Sequence, residues 1–408
     1  MMIYELKKIF VKRSGKIAVL LLLLLLGLTS YFAVCDVKYI NEQGQAEKGF
    51  SAVRMLRQAR KEWEGELTEE RLAKVIEENS RINATPEFNS DDVQMQDIAY
   101  GWKQGIYDIR AMLVRSFGKF REYDYYLADR LEPEDASKFY DNRVLQLEEW
   151  LDGEAKDTFS EEEKAFLIDR YKNIETPFYY DYFAGWDALF EFFPTVIMIT
   201  VLILGFLAAG IFSGEFQMKT DAIFFSSYHG RGRASVAKLG AGFLMVTAVY
   251  WVMVLLYTGI VLGYLGADGA GLLIQTSGRG WKSFYNITNW QEYLLIVFGG
   301  YLGSLFMLLL VMLVSAKFRS ATLAVMVPFI LIFLPAFLQS FPYVIVSKIC
   351  ALLPDQLLQM NLAVCYFSLY QIGGKVVGAV PILMVIYLLL VLLLCPVIYQ
   401  VYRRAEVR

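Results

Sequence analysis

Histidine is nearly missing from this chain: His229 is the single one among 408 residues. A zinc site built on several histidines is thereby excluded, and no His/Cys cluster replaces it. The four cysteines, Cys35, Cys350, Cys365 and Cys395, are too few for a disulfide scaffold. Cys350 and Cys365 share one predicted loop, where a disulfide and two separate thiols both remain open. No Walker-type phosphate loop occurs, so the chain does not hydrolyse ATP by that route. Gly-x-Ser-x-Gly and His-Glu-x-x-His are absent as well. Acidic pairs such as Asp91-Asp92 and Glu148-Glu149 read as solvated helix faces. We therefore expect no catalytic residue, no metal ligand and no cofactor in this chain, and no nucleic acid among its partners.

Charge is also missing from six long stretches: Ile17 to Cys35, Phe192 to Gly214, Leu239 to Ala267, Tyr293 to Ala316, Ser320 to Ser347 and Val376 to Tyr402 contain no Asp, Glu, Lys or Arg. A bilayer core is about 30 Å thick, and a helix needs about 20 apolar residues to span it. Helices are the default because every backbone polar group must be satisfied within lipid. The first stretch follows Lys7, Lys8, Lys12, Arg13 and Lys16 and has the look of a signal sequence, but it carries no clear small-x-small cleavage site, and the bulky Val34 before Cys35 argues against a lipoprotein-type one, so we expect an uncleaved anchor. Pro328, Pro335 and Pro342 in the fifth span, with Pro381 and Pro396 in the sixth, are expected to loosen those helices.

Lysine and arginine mark the cytoplasmic side. Fourteen of them fall in the N-terminal segment, the second-to-third and fourth-to-fifth connections and the tail; the two short loops on the other side hold Arg279, Lys282, Lys348 and Lys375. Both termini are therefore expected in the cytoplasm. Residues 36–191 then lie outside. From Asp36 to Asp187 there are 34 acidic and 21 basic residues, a net of −13 in a chain whose total is −3.

That segment is long enough for its own core and reads as mainly helical. Apolar residues including Val53, Leu56, Leu72, Val75 and Ile76 recur at helical spacing, and Asn89-Ser-Asp-Asp, Glu132-Pro-Glu-Asp and Ser160-Glu-Glu-Glu resemble helix starts. The aromatic run from Pro177 to Trp186 reads as a headgroup-level belt. Residues Ile349 to Gly374 carry one acid, Asp355, and are broken by Pro354 and Gly373-Gly374. An interfacial helix or a short re-entrant pair is expected there. The fold class is thus an all-α integral membrane protein with six transmembrane helices. We divide it into 1–35, an interfacial segment and first span; 36–191, an extracytoplasmic helical domain; and 192–408, a five-helix transmembrane domain. Glu191 and Glu292, at the predicted outer ends of the second and fourth spans, are candidates for a substrate path, since acids near membrane depth often mark one.

The segment 213–238 is the most informative. It runs Phe212-Ser-Gly-Glu-Phe-Gln-Met-Lys-Thr-Asp-Ala-Ile-Phe-Phe-Ser-Ser-Tyr-His-Gly-Arg-Gly-Arg-Ala-Ser-Val-Ala-Lys. A Glu ends a span, a short mixed helix follows, and a glycine-rich basic turn opens the next span. An aromatic knob of Phe224, Phe225 and Tyr228 with cationic flanks could dock into a soluble partner. These residues resemble the coupling segment of ABC type-2 permeases, the membrane subunits of one class of ATP-driven transporter. Glu215 matches the family's Glu, Lys219-Thr220 its Gly-Thr step, Ser226-Ser227 to Arg233 its turn and Lys238 its Lys; Lys219 stands where Gly is usual, and the turn lacks Pro. The six-span layout, the basic amphipathic start at Tyr4 and the apolar loop before the last span are similar too. The resemblance stops at residues 36–187.

The resemblance implies coupling to an ATPase subunit through Glu215, Lys219, Thr220, Asp221, Phe225, Arg231, Arg233 and Lys238. It also implies ATP and Mg bound in that partner, and a second permease subunit, either a copy of this chain or a paralogue. The implied activity is transport across the lipid bilayer, usually export. The alternative is a non-transporting membrane sensor or scaffold whose outer domain binds a ligand.

Overall fold

The computed structural model describes residues 1–227, 230, 232–338 and 343–404. Tyr228, His229, Arg231 and Pro342 lie outside the described residues. Among those described, six helices are long and apolar enough to cross a membrane.

The chain opens with α1 (Met2–Val11) and, after an extended residue at Lys12, turns into the first span, α2 (Arg13–Asp36). A hairpin of β1 (Tyr39–Ile40) and β2 (Ala46–Glu47) leads into the insert, which contains α3 (Phe50–Lys61), β3 (Gly65–Glu66), α4 (Glu69–Asn83), α5 (Val93–Lys103), α6 (Tyr107–Phe117), α7 (Phe139–Asp152), α8 (Glu161–Lys172) and β4 (Tyr179–Tyr180). Several starts are set by side chains that accept the free N–H groups of a first turn. Thr68 caps α4, Asp92 caps α5 and Ser160 closes a capping box with Glu163 on α8. Of the expected starts, Glu132-Pro-Glu-Asp opens a 3-10 turn that leads into α7. The strand β3 pairs with β4 antiparallel, so the two ends of the insert close on one another.

The second span, α9 (Ala184–Gln217), is followed by the short α10 (Asp221–Ser226) and by α11 (Arg233–Leu265), α12 (Asn289–Phe318) and α13 (Ala321–Leu338). Helices α9, α11 and α12 form the centre of the bundle. Their crossing is close because Gly300 of α12 sits against Tyr250 of α11 and Ile197 of α9; a Cβ there would lie 2.6 Å from the tyrosine hydroxyl. After α13 come α14 (Val344–Cys350), α15 (Asp355–Leu358), α16 (Met360–Ala363), a hairpin of β5 (Leu369–Ile372) and β6 (Lys375–Gly378), and the last span, α17 (Ala379–Arg403).

Three expectations are corrected here. The fifth span is not one helix as far as Ser347: Tyr343 is extended and a separate helix, α14, starts at Val344. The sixth does not begin at Val376, because Val376 to Gly378 belong to a strand. The aromatic run before α9 is not a headgroup belt. Phe178, Tyr180, Tyr182, Phe183 and Trp186 are buried in apolar clusters; all but Tyr182 belong to the core that continues from the insert into the bundle. The insert packs on the loops at the same end of the spans. Tyr171 donates to Lys282 O at 2.6 Å, Lys348 pairs with Glu163 at 2.7 Å, and Arg57 pairs with Asp268. Aromatic rings complete the joint: Trp150 and Phe120 of the insert stack on each other and meet Phe367 of the loop before α17. The four cysteines are all free thiols, Cys350 buried and Cys365 partly so.

Candidate functional site

At the end of the bundle away from the insert, the chain passes converge on the last turn of α9. Glu215 is buried there and so is Lys238, one turn into α11. The Lys238 Nζ lies 2.8 Å from Glu215 Oε1, donates to Ile211 O at 2.6 Å and reaches Glu5 Oε2 of α1 at 3.3 Å. Lys8 of α1 pairs with Glu5 at 3.1 Å and stands 3.7 Å from Glu215. A buried charge is tolerated when it is paired and its remaining hydrogen-bonding groups are met. Lys238 meets that condition with three acceptors; Glu215 retains one oxygen, Oε2, that is buried without a partner. The cluster ties the surface helix α1 to the ends of two spans.

The backbone between α9 and α10 turns at Lys219, whose φ of 57° is left-handed. Glycine adopts this conformation without the steric penalty that a side chain brings. Thr220 follows, its N–H donating to Glu215 O at 2.9 Å and its hydroxyl to the same oxygen at 3.3 Å. Glu215 therefore fixes the connector with its carbonyl and the next span with its carboxylate.

Helix α10 then lies across the bundle end. Asp221 in its first turn is buried. Phe225 is buried too, packed on Phe216 of α9 and Tyr402 of α17 at ring distances of 5.7 and 5.3 Å. Its ring is thus turned into the bundle and is not presented as a docking knob. The residue presented to solution is Ile223, 77% exposed, with Ala222, Ser226 and Arg233 also on exposed positions. The guanidinium of Arg319, at the α12–α13 link, covers the ring of Phe216 at 4.7 Å. Sequence reasoning missed Glu5 and Lys8. Their one legible signal was the i, i+3 pairing of opposite charges on a short helix, and nothing in it named Glu215 as the partner.

The two acids proposed for a substrate path stand in different surroundings. Glu191 is exposed on α9. Glu292 is 0% exposed and is held by both terminal nitrogens of Arg279, the second at 2.9 Å. The guanidinium also lies over the Phe190 ring at 4.7 Å. A bidentate pair of this kind is rigid and neutral, which explains how an acid is held within the packed end of the bundle. Among the described residues no group of His, Cys, Asp or Glu side chains is arranged to hold a metal.

Comparison of this chain with family profiles, with curated proteins and with solved structures returns no match.

Proposed function

We propose that this chain is the membrane-spanning permease subunit of an ATP-binding cassette transporter, acting as an exporter in a bacterial cell membrane. In this reading both termini are cytoplasmic and residues 36–191 are outside. A separate ATPase subunit binds ATP and Mg, and a second permease subunit, a copy or a paralogue, completes the assembly. The observation that carries the proposal is the connector α10. It is short, connects two spans, and is held to α9 by the bonds from Thr220 to Glu215 O and by the packing of Phe225 on Phe216, while the Glu215–Lys238 pair joins α9 to α11. Force applied to its exposed face reaches α9 through these contacts and α11 through the ion pair, because a buried ion pair and a packed aromatic cluster deform little. The basic residues at that end support its placement on the cytoplasmic side.

The test is a mild-detergent purification of the tagged full-length chain with its neighbouring genes expressed. A stoichiometric ATPase that co-purifies, and is lost from Ile223→Asp and Arg233→Glu variants that remain monodisperse, supports the assignment. No ATPase in the wild-type preparation would overturn it and favour the sensor or scaffold reading. That reading draws on a specific feature: the insert is joined to two loops of the bundle by ion pairs and stacked rings, so a ligand held by the insert would act directly on the spans.

A further inference from the structure

A cleft of about 200 Å³ opens beside the Glu215–Lys238 pair, between α1, the start of α2, α9 and α13. Its position is set by the spans themselves: α2 and α13 begin here and α9 ends here, so the cleft lies where hydrocarbon gives way to headgroups. One wall is apolar and faces outward. Phe206 of α9 is half exposed, Val325 of α13 lies across from it, and Gly210 between them leaves a slot, since a Cβ at Gly210 would meet nothing within 4 Å. Small residues on a membrane helix ordinarily admit a neighbouring helix, but no helix fills this space.

The rim is cationic. Lys8 and Lys12 stand at the mouth, and Lys12, on the extended residue between α1 and α2, is exposed and has no ion pair among the described residues. The acids of the lining, Glu5 and Glu215, are already engaged by Lys238 and Lys8. Glu215 also lines the cleft, with its Oε1 turned to Lys238 and Lys8 and its Oε2 buried out of reach of solvent. An apolar slot that ends in two lysines, of which Lys12 has no acid beside it among the described residues, matches one class of molecule in its surroundings. Basic pockets between membrane helices recognise phospholipid headgroups by the same combination.

We propose that the cleft seats one phospholipid from the leaflet on the side of the termini. Its phosphate rests on Lys12 beside Lys8, and one acyl chain runs along Phe206, Gly210 and Val325. The proposal goes beyond the transport reading and does not depend on it, because nothing in it requires an ATPase.

The test uses the full-length chain, purified in mild detergent, with bound phospholipid quantified per chain by mass spectrometry. Gly210→Leu fills the slot, leaves the charge cluster intact and raises helix propensity at its position. Gly259→Leu, on an open face of α11 away from the cleft, is the control. The expected result is a retained phospholipid in the wild type and in Gly259→Leu that is lost from Gly210→Leu. Lys12→Glu should weaken retention about fivefold or more, as expected for one lysine at a headgroup. Added dioleoyl phosphatidylethanolamine should raise the melting temperature of the wild type but not of Gly210→Leu. Equal retention by all variants, or an equal shift produced by inorganic phosphate alone, would overturn the proposal.

Discussion

The carboxylate of Glu215 and the ammonium of Lys238 meet at 2.8 Å across 23 residues of sequence, joining the end of one span to the start of the next. Both groups are buried, and the pair is shared with Glu5 and Lys8 of the first helix.

Removing one partner strands the other in an apolar setting. Lys238→Met is expected to destabilise the chain by about 3 to 5 kcal/mol. The double variant Glu215→Leu/Lys238→Met should recover much of that loss, because a buried pair is itself a weak stabiliser. Thermal melting in detergent distinguishes the outcomes; a single variant as stable as the wild type would show that Lys238 is not buried against Glu215.

The left-handed turn at Lys219 leads to a second expectation. Lys219→Gly removes the contact between a Cβ and the following carbonyl and should stabilise the connector by about 1 kcal/mol, while Lys219→Val should do the reverse. Hydrogen exchange of the Thr220 amide, which donates to Glu215 O, reads the effect locally. Faster exchange in the glycine variant would contradict the turn geometry.

In the insert, Asp129 accepts from Asn79 and Asn83 at 2.9 Å each and from Arg110 at 3.0 Å. Burial opposes its ionisation, but the hydrogen bonds from Asn83 and Asn79, together with Arg110, outweigh it and hold its pKa below the ordinary aspartate value. A lowered folded-state pKa contributes stability that is present above the unfolded-state value and is lost as pH falls through the folded-state value. Acid unfolding of the insert should therefore begin below the ordinary aspartate range, and Asp129→Asn should flatten that part of the profile. Near-ultraviolet circular dichroism against pH is the measurement, and an unchanged profile in the variant would refute the assignment.

Arg110 and Arg143 are both buried arginines of the insert, but they differ in what surrounds them. Arg110 faces Asp129, whereas Arg143 lies over the Tyr171 ring at 4.1 Å and donates to Trp281 O at 3.3 Å. Arg110→Met takes one cation from a half-buried carboxylate that Asn79, Asn83 and Lys103 still hold, and should cost about 2 to 3 kcal/mol. Arg143→Met leaves no carboxylate behind, and the cation–π contact it removes is worth no more than about 2 kcal/mol. Equal losses, measured by denaturant unfolding, would show that the aromatic cage holds Arg143 more strongly than its contacts imply.

The six spans were legible because a run of about 20 uncharged residues has few folds open to it. Helix starts at Asp92 and Ser160 were legible for a local reason as well: one side chain satisfies amides two or three residues away. The aromatic run at Phe178 to Trp186 misled for the complementary reason. Tyr and Trp suit a headgroup layer and a packed joint equally well, and composition alone does not choose between them. The same limit hid the break at Tyr343 and the strand at Val376, since uncharged residues continue past both.

What the sequence by itself determined is the set of spans, the charge asymmetry and the presence of a Glu and a Lys bracketing a short connector. These depend on residues close together in the chain, where local chemistry decides the outcome. Tertiary structure alone decided that Phe225 turns inward, that Glu5 and Lys8 join the Glu215 cluster, and that the insert is locked onto two distant loops. Each is a contact between segments far apart in sequence, selected by burial and charge pairing only once the helices had packed.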